Sequence, residues 1–244
     1  MFADIVAYRS YIVATVVRDI RARYRGSLLG FLWIIIPPLA MIAIYTTVFS
    51  ALMQARLPEQ AGPFAYSIYL CAGLLLWNGF VDIIQRSKGV FLENANLLKK
   101  TVFPRTVLFA NVLLFALFNL AISLAIFILF VIAVTGVNLS LANLLPAIAL
   151  LALLALGLGL LISTLNVFFR DIAQITDLGL QFLFWLTPIA YPIQILPAWA
   201  QEFIRLNPLT GLLAISQNAF LLGQSPAPAD WAYPAVATLL ALAV

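Results

Sequence analysis

Long apolar runs separated by short charged clusters organise this chain. Residues 4–25 place Ile5, Tyr8, Ile12, Val16, Ile20 and Tyr24 three to four positions apart, with Arg9, Arg18 and Arg21 off that stripe. The spacing predicts an amphipathic helix lying on a membrane surface, its basic side toward headgroups. Residues 28–53 are uncharged and predict a first span, with Trp33 near one boundary and Pro37 and Pro38 kinking the helix. A second span is expected over 62–84, with Tyr66 and Tyr69 at the far interface. The stretch 86–105 is too polar for lipid, and Pro104 marks the start of the next apolar run.

From Thr106 to Phe169 there are 64 residues without Asp, Glu, Lys or Arg. Thr135, Gly136, Asn138, Asn143 and Pro146 supply turn chemistry inside it, so two antiparallel spans are expected, about 106–134 and 145–168. Gly157 and Gly159 in the second either permit close helix packing or reflect the ordinary tolerance of membrane helices for glycine. A fifth span is expected over 173–196, closed by Pro188, Pro192 and Pro197. Then Pro208, Gly211, Gly223, Pro226 and Pro228 break the pattern. The clean piece 209–222 is short for a crossing, so 198–223 reads as re-entrant or interfacial helices. A sixth span starts near Trp231 and is incomplete at Val244. The fold class is an all-α membrane protein: one six-span domain over 1–244, with an N-terminal interface helix and short re-entrant helices before the last span.

Composition agrees with this pattern. Mean hydropathy is +1.08 and only 9% of residues are charged, against about 25% in soluble domains. Eleven of the thirteen Lys and Arg residues lie within 9–25, 86–105 and at Arg170, the loops that share one side if the N-terminus is cytoplasmic; only Arg56 and Arg205 fall opposite. This is the positive-inside distribution, so the net charge of +4 is no signal for nucleic acid. The N-terminus lacks the basic start and apolar core of a cleavable signal peptide.

Candidate chemistry is sparse. The chain has no His, a lone Cys71 and no phosphate-binding Gly-Lys-Ser/Thr loop, which leaves no disulfide framework, no metal cluster and no catalytic constellation. Asp82 and Asp177 read as solvated or helix-start carboxylates near the inner ends of spans, and Arg170 has Asp171 or a partner protein as its counterion. So few ionisable groups in the spans argue against an ion relay and toward a helical channel driven from outside the membrane domain. Asn94, Asn96, Lys99 and Lys100 surround Leu97 and Leu98. That gives 86–105 two readings, a plain basic loop or a short helix that docks into a soluble partner.

Five segments resemble, in order, permease subunits of bacterial polysaccharide ABC exporters, the family that moves O-antigen, capsule and teichoic acid. They are Ala22-Arg-Tyr-Arg-Gly-Ser-Leu-Leu-Gly-Phe-Leu-Trp33, Leu97-Leu-Lys-Lys-Thr-Val-Phe-Pro-Arg105, Asn166-Val-Phe-Phe-Arg-Asp-Ile172, Leu186-Thr-Pro-Ile-Ala-Tyr-Pro192 and Asn207-Pro-Leu-Thr-Gly-Leu-Leu213. The resemblance implies a homodimeric, multi-pass permease of the bacterial inner membrane, with its N-terminus cytoplasmic. Two ATP-binding cassette subunits would bind ATP and Mg, leaving no cofactor and no enzymatic activity in this chain. It implies an interface helix carrying Arg18, Arg21, Arg23 and Arg25, and a coupling helix over 94–101. Arg170 and Asp171 would form a second cytoplasmic contact. The implied cargo is a lipid-linked polysaccharide, for which Tyr45, Trp77, Phe182, Phe184, Trp185 and Tyr191 are candidate channel-lining residues; each is equally an interface or lipid-facing anchor. The family pattern also implies a last span and basic tail beyond Val244. Other readings are an ABC permease for a drug or lipid, a membrane-embedded lipid-sugar transferase, or a scramblase.

Overall fold

A long helix, α4 (Ala65–Glu93), forms the axis around which the other elements pack. The computed structural model describes residues 2–24, 27–30, 32–48, 64–100, 103–136, 141–221 and 228–243. Among them every regular element is helical. Two helices, α1 (Phe2–Ala7) and α2 (Arg9–Tyr24), precede α3 (Leu32–Tyr45). After α4 come α5 (Ala95–Lys100), α6 (Arg105–Thr135), α7 (Leu144–Phe168) and α8 (Ile172–Trp185). The chain closes with α9 (Ala198–Arg205), α10 (Pro208–Leu221) and α11 (Pro228–Ala243). By length and composition α4, α6 and α7 are long and apolar enough to cross a membrane.

Local chemistry sets several of these limits. Gly136 ends α6 in the left-handed region (φ 71°), where its N–H bonds Ile132 O; a residue with a Cβ would be strained there. Pro146 lies in the first turn of α7, where its missing N–H costs no helix bond. Asn207 starts α10 by accepting the Leu209 N–H on its side chain (3.0 Å), and Pro208 follows it at the first helical position.

Three expectations change. The helix expected to end at 84 continues as α4 to Glu93. No proline interrupts 82–93, and Asp82 and Arg86 pair one turn apart (2.8 Å), so those charges ride on a helix instead of a loop. The continuous fifth span over 173–196 is replaced by α8, which stops at Trp185. Pro188 has no N–H to continue it, and Thr187 N–H turns back to Phe184 O. A single 3-10 turn, Ile193–Ile195, then leads to α9. The N-terminal helix is divided at Tyr8, whose ring packs edge-on against Phe103 (5.4 Å between centroids). The first span, expected over 28–53, is helical as α3; residues 49–53 lie outside the described residues.

Close approach of helix backbones holds the bundle together. A Cβ on Gly159 would meet Ser87 of α4 at 2.6 Å, and one on Gly157 would meet the Ala241 carbonyl of α11 at 2.6 Å. Both glycines are therefore packing positions. Buried Asn166 donates to Lys88 O (2.7 Å), fixing α7 to α4 at the same end. At the opposite end Tyr69 donates to Pro188 O and Tyr191 O, Tyr66 donates to Ala190 O, and Ser216 donates to Ala72 O. These bonds seat α10 and the turn after α8 on α4. Residues 208–221 bury most of their side chains there.

Candidate functional site

The connections make one end of the bundle basic. It gathers α2, α5 and the turn at 169–171, because α4 and α7 end there and α6 and α8 begin there. In α2, Ile12 and Thr15 are buried while Arg9, Arg18 and Arg21 are exposed. Arg25 and the side chain of Arg23 lie outside the described residues. In α5, Leu97 and Leu98 pack against the core, whereas Asn96, Lys99 and Lys100 are exposed. Asn94 closes α4, with its side-chain amide donating to Val90 O (2.8 Å). Six residues thus present two lysines outward on a base fixed by leucines. Arg170 and Asp171 are exposed in the turn between α7 and α8 and form no ion pair with each other. The Asp171 carbonyl accepts the Ile175 N–H, starting α8.

The candidate aromatic residues do not form one surface. Trp77 is buried and meets the half-buried Phe184 edge-on (5.6 Å), joining α4 to α8. Tyr45 is half-buried against the core, and Tyr191 donates to Trp185 O. Only Phe182 and Trp185 stand open, 61% and 64% exposed. They continue a stripe with Ile175 and Leu178 along one face of α8, a helix with no buried residue. Asp177, on α8, accepts from Lys88 (2.5 Å) and Gln85 (2.6 Å) of α4. Polar contacts at one end and the Trp77–Phe184 contact at the other thus hold α8 to α4.

A polar crevice between α3, α4 and α6 brings together residues that the charge pattern alone passes over. Asn78, Asp82 and Arg86 recur every four residues on α4; Asn111, Asn119 and Ser123 occupy positions four or eight apart on α6. Asn119 donates to Asp82 Oδ2 (3.3 Å), and the Arg86 guanidinium lies over the Phe115 ring (3.9 Å). A cavity of about 420 Å³ is lined by Asn78, Asp82, Asn119, Ser123, Trp33 and Pro37, among others. A second of about 610 Å³ opens beside α2, with Arg18, Asp19, Arg86, Glu93 and Asn111. Both include Asp82. The readable signal was the four-residue recurrence of Asn together with the charges.

Comparison with known proteins decides what this bundle is. The family profile of the ABC-2 type transporter membrane domain matches residues 11–221. The chain belongs to that family. It is 34% identical over 209 residues to an O-antigen export system permease protein of Klebsiella pneumoniae, covering 84% of this chain and 78% of that one. An O-antigen export system permease protein of Myxococcus xanthus is 28% identical, over 89% of this chain and 82% of its own length. A polysialic acid transport protein of Escherichia coli is 26% identical, over 94% and 88%. As an ABC-2 membrane protein the chain is a transport subunit. Two of the contacts in this structure involve the five segments noted in the sequence: Asn207 donates to Thr187 Oγ (2.8 Å), tying the last two together, and Trp33 donates to Ser27 Oγ within the first.

Proposed function

We propose that this chain is the membrane subunit of an ATP-driven exporter that moves a lipid-linked polysaccharide from the cytoplasmic side across the bacterial inner membrane. The observation that carries the reading is the likeness to polysaccharide-export permeases along most of the chain. In this reading the basic end is cytoplasmic, in keeping with the positive-inside rule. Lys99 and Lys100 on α5 face a separate ATP-binding subunit, with Arg170 and Asp171 as a second contact. The leucine base of α5 supports that role, because force applied to the lysines passes directly into α4 and the core. The open stripe of α8 supports a second copy of the chain, giving a homodimer with two ATP-binding subunits. Phe182 and Trp185 then face the partner copy or the path between copies, while Trp77 and Phe184 brace α8 from behind.

The test is purification of the tagged protein from its native membrane in mild detergent, combined with deletion of its gene. Stoichiometric recovery of an ATP-binding subunit and loss of surface polysaccharide in the deletion strain are expected. A protein that purifies alone under conditions that preserve such complexes, from a strain whose surface glycan survives the deletion, would refute the reading.

A further inference from the structure

The crevice between α3, α4 and α6 has chemistry that helix packing leaves unused. Asn78 lies fifteen residues from the basic end of α4, and Asn119 fourteen from that of α6. At 1.5 Å per residue both lie about 21–23 Å along their helices from that end. A polar group between packed apolar helices costs free energy unless it is paired or wet. Yet among the described residues the Asn78 amide meets only the Met41 sulfur, at 3.8 Å, a weak acceptor. Asn111 Oδ1, in the adjoining cavity, is shielded from solvent and has no partner among the described residues. On the third wall, Pro37 and Pro38 have no N–H to offer Trp33 O and Ile34 O one turn earlier, and all four residues line the cavity. Backbone acceptors, side-chain amides and an indole ring thus share one space.

The electrostatics narrow what fits. Among the described residues, Asp82 is the one ionisable side chain lining the 420 Å³ cavity, and its charge is balanced by Arg86 at 2.8 Å. A phosphate would need surplus cationic charge, and a metal ion surplus carboxylate; this lining offers neither. Amides present donor and acceptor side by side, matching hydroxyl groups that do both. An aromatic ring beside them suits the apolar face of a pyranose. The volume, about 420 Å³, lies within the usual range for small-molecule sites.

We propose that this crevice is a sugar-binding subsite, in which Asn78, Asp82, Asn119 and Ser123 hydrogen-bond an uncharged sugar unit of the cargo beside Trp33. The inference rests on the export reading above and adds to it a glycan contact inside each protomer, apart from the α8 face. The cavity beside α2, which shares Asp82, is its approach from the basic end.

The experiment places a small diazirine amino acid at position 78 or 123 of the full-length protein, and at exposed Leu129 of α6 as control. Cells are irradiated with glycan synthesis on or blocked, and the probe is the cell's own lipid-linked glycan. The expected result is a glycan-stained adduct from 78 and 123, absent from 129 and abolished when synthesis is blocked. In parallel, Asn119→Leu should lower export about tenfold, the effect of losing one hydrogen bond to substrate, at unchanged membrane abundance. If export depends on the chain but positions 78 and 123 capture only phospholipid or nothing, the subsite is overturned and the export reading stands. If surface glycan does not depend on the chain, both fall.

Discussion

Gly157→Ala tests the packing geometry most directly. The new Cβ would lie 2.6 Å from the Ala241 oxygen, 2.7 Å from its carbonyl carbon and 2.9 Å from its Cβ. Ordinary contact begins near 3.4 Å, so α11 must retreat by roughly 0.8 Å; a main-chain carbonyl cannot swing aside as a side chain can. Overpacking of this kind costs about 1–3 kcal/mol. Alanine also favours a helix over glycine by up to about 1 kcal/mol, which would mask part of the loss. Gly179→Ala isolates that gain, because nothing lies within 4 Å of a Cβ there. The difference between the two variants is then the clash itself. With about 2–4 °C per kcal/mol for a chain of this size, Gly157→Ala should melt about 2–12 °C below Gly179→Ala. Thermal unfolding of the purified protein in detergent, followed by tryptophan fluorescence and gel filtration, reads this. Equal melting temperatures would refute the close seating of α11 on α7.

Three further outcomes are expected. Replacing Lys99 and Lys100 together with Glu should reduce co-purification of the ATP-binding subunit by about tenfold while leaving thermal stability within about 0.5 kcal/mol, since both side chains are exposed; full retention of the partner would remove α5 as its contact. Reversing Lys88 to Asp, or Asp177 to Lys, should lower export, and the double reversal should restore it, since the two side chains pair across α4 and α8. No rescue in the double reversal would mean the pair is not the link between α4 and α8. Changing Phe182 and Trp185 together to Ala should lower the dimer fraction measured by light scattering in detergent, and an unchanged fraction would assign the α8 stripe to lipid.

The helical class and membrane character were legible because a bilayer segregates charge strongly, whereas a water-facing surface would interrupt a run of 64 uncharged residues many times over. The limits of α6 and α7 were legible from the turn residues around Gly136 and Pro146. Other features depend on partners distant in sequence. Asp82 and Arg86 looked like the edge of a loop; their pairing and the cation–π contact with Phe115 keep them in a helix. Aromatic residues close in sequence separate in space, with Phe184 against Trp77 and Phe182 open, because successive positions on a helix point about 100° apart. The choice at Gly157 and Gly159 was open until their neighbours, Ala241 and Ser87, were known. The polar crevice was missed because uncharged asparagine leaves hydropathy runs nearly intact.

Helix α10 has a consequence for biogenesis. Its fourteen residues span about 21 Å, too short to partition across a bilayer as an independent segment. Thr210, Ser216 and Gln217 are all buried against neighbouring protein. Insertion machinery that releases one hydrophobic segment at a time therefore has no stable place for α10 until α4 and α7 stand beside each other. Closure of the end of the bundle opposite α5 is accordingly a late event. In ribosome-bound chains of increasing length, protease protection of that end should appear only after residue 221 has emerged.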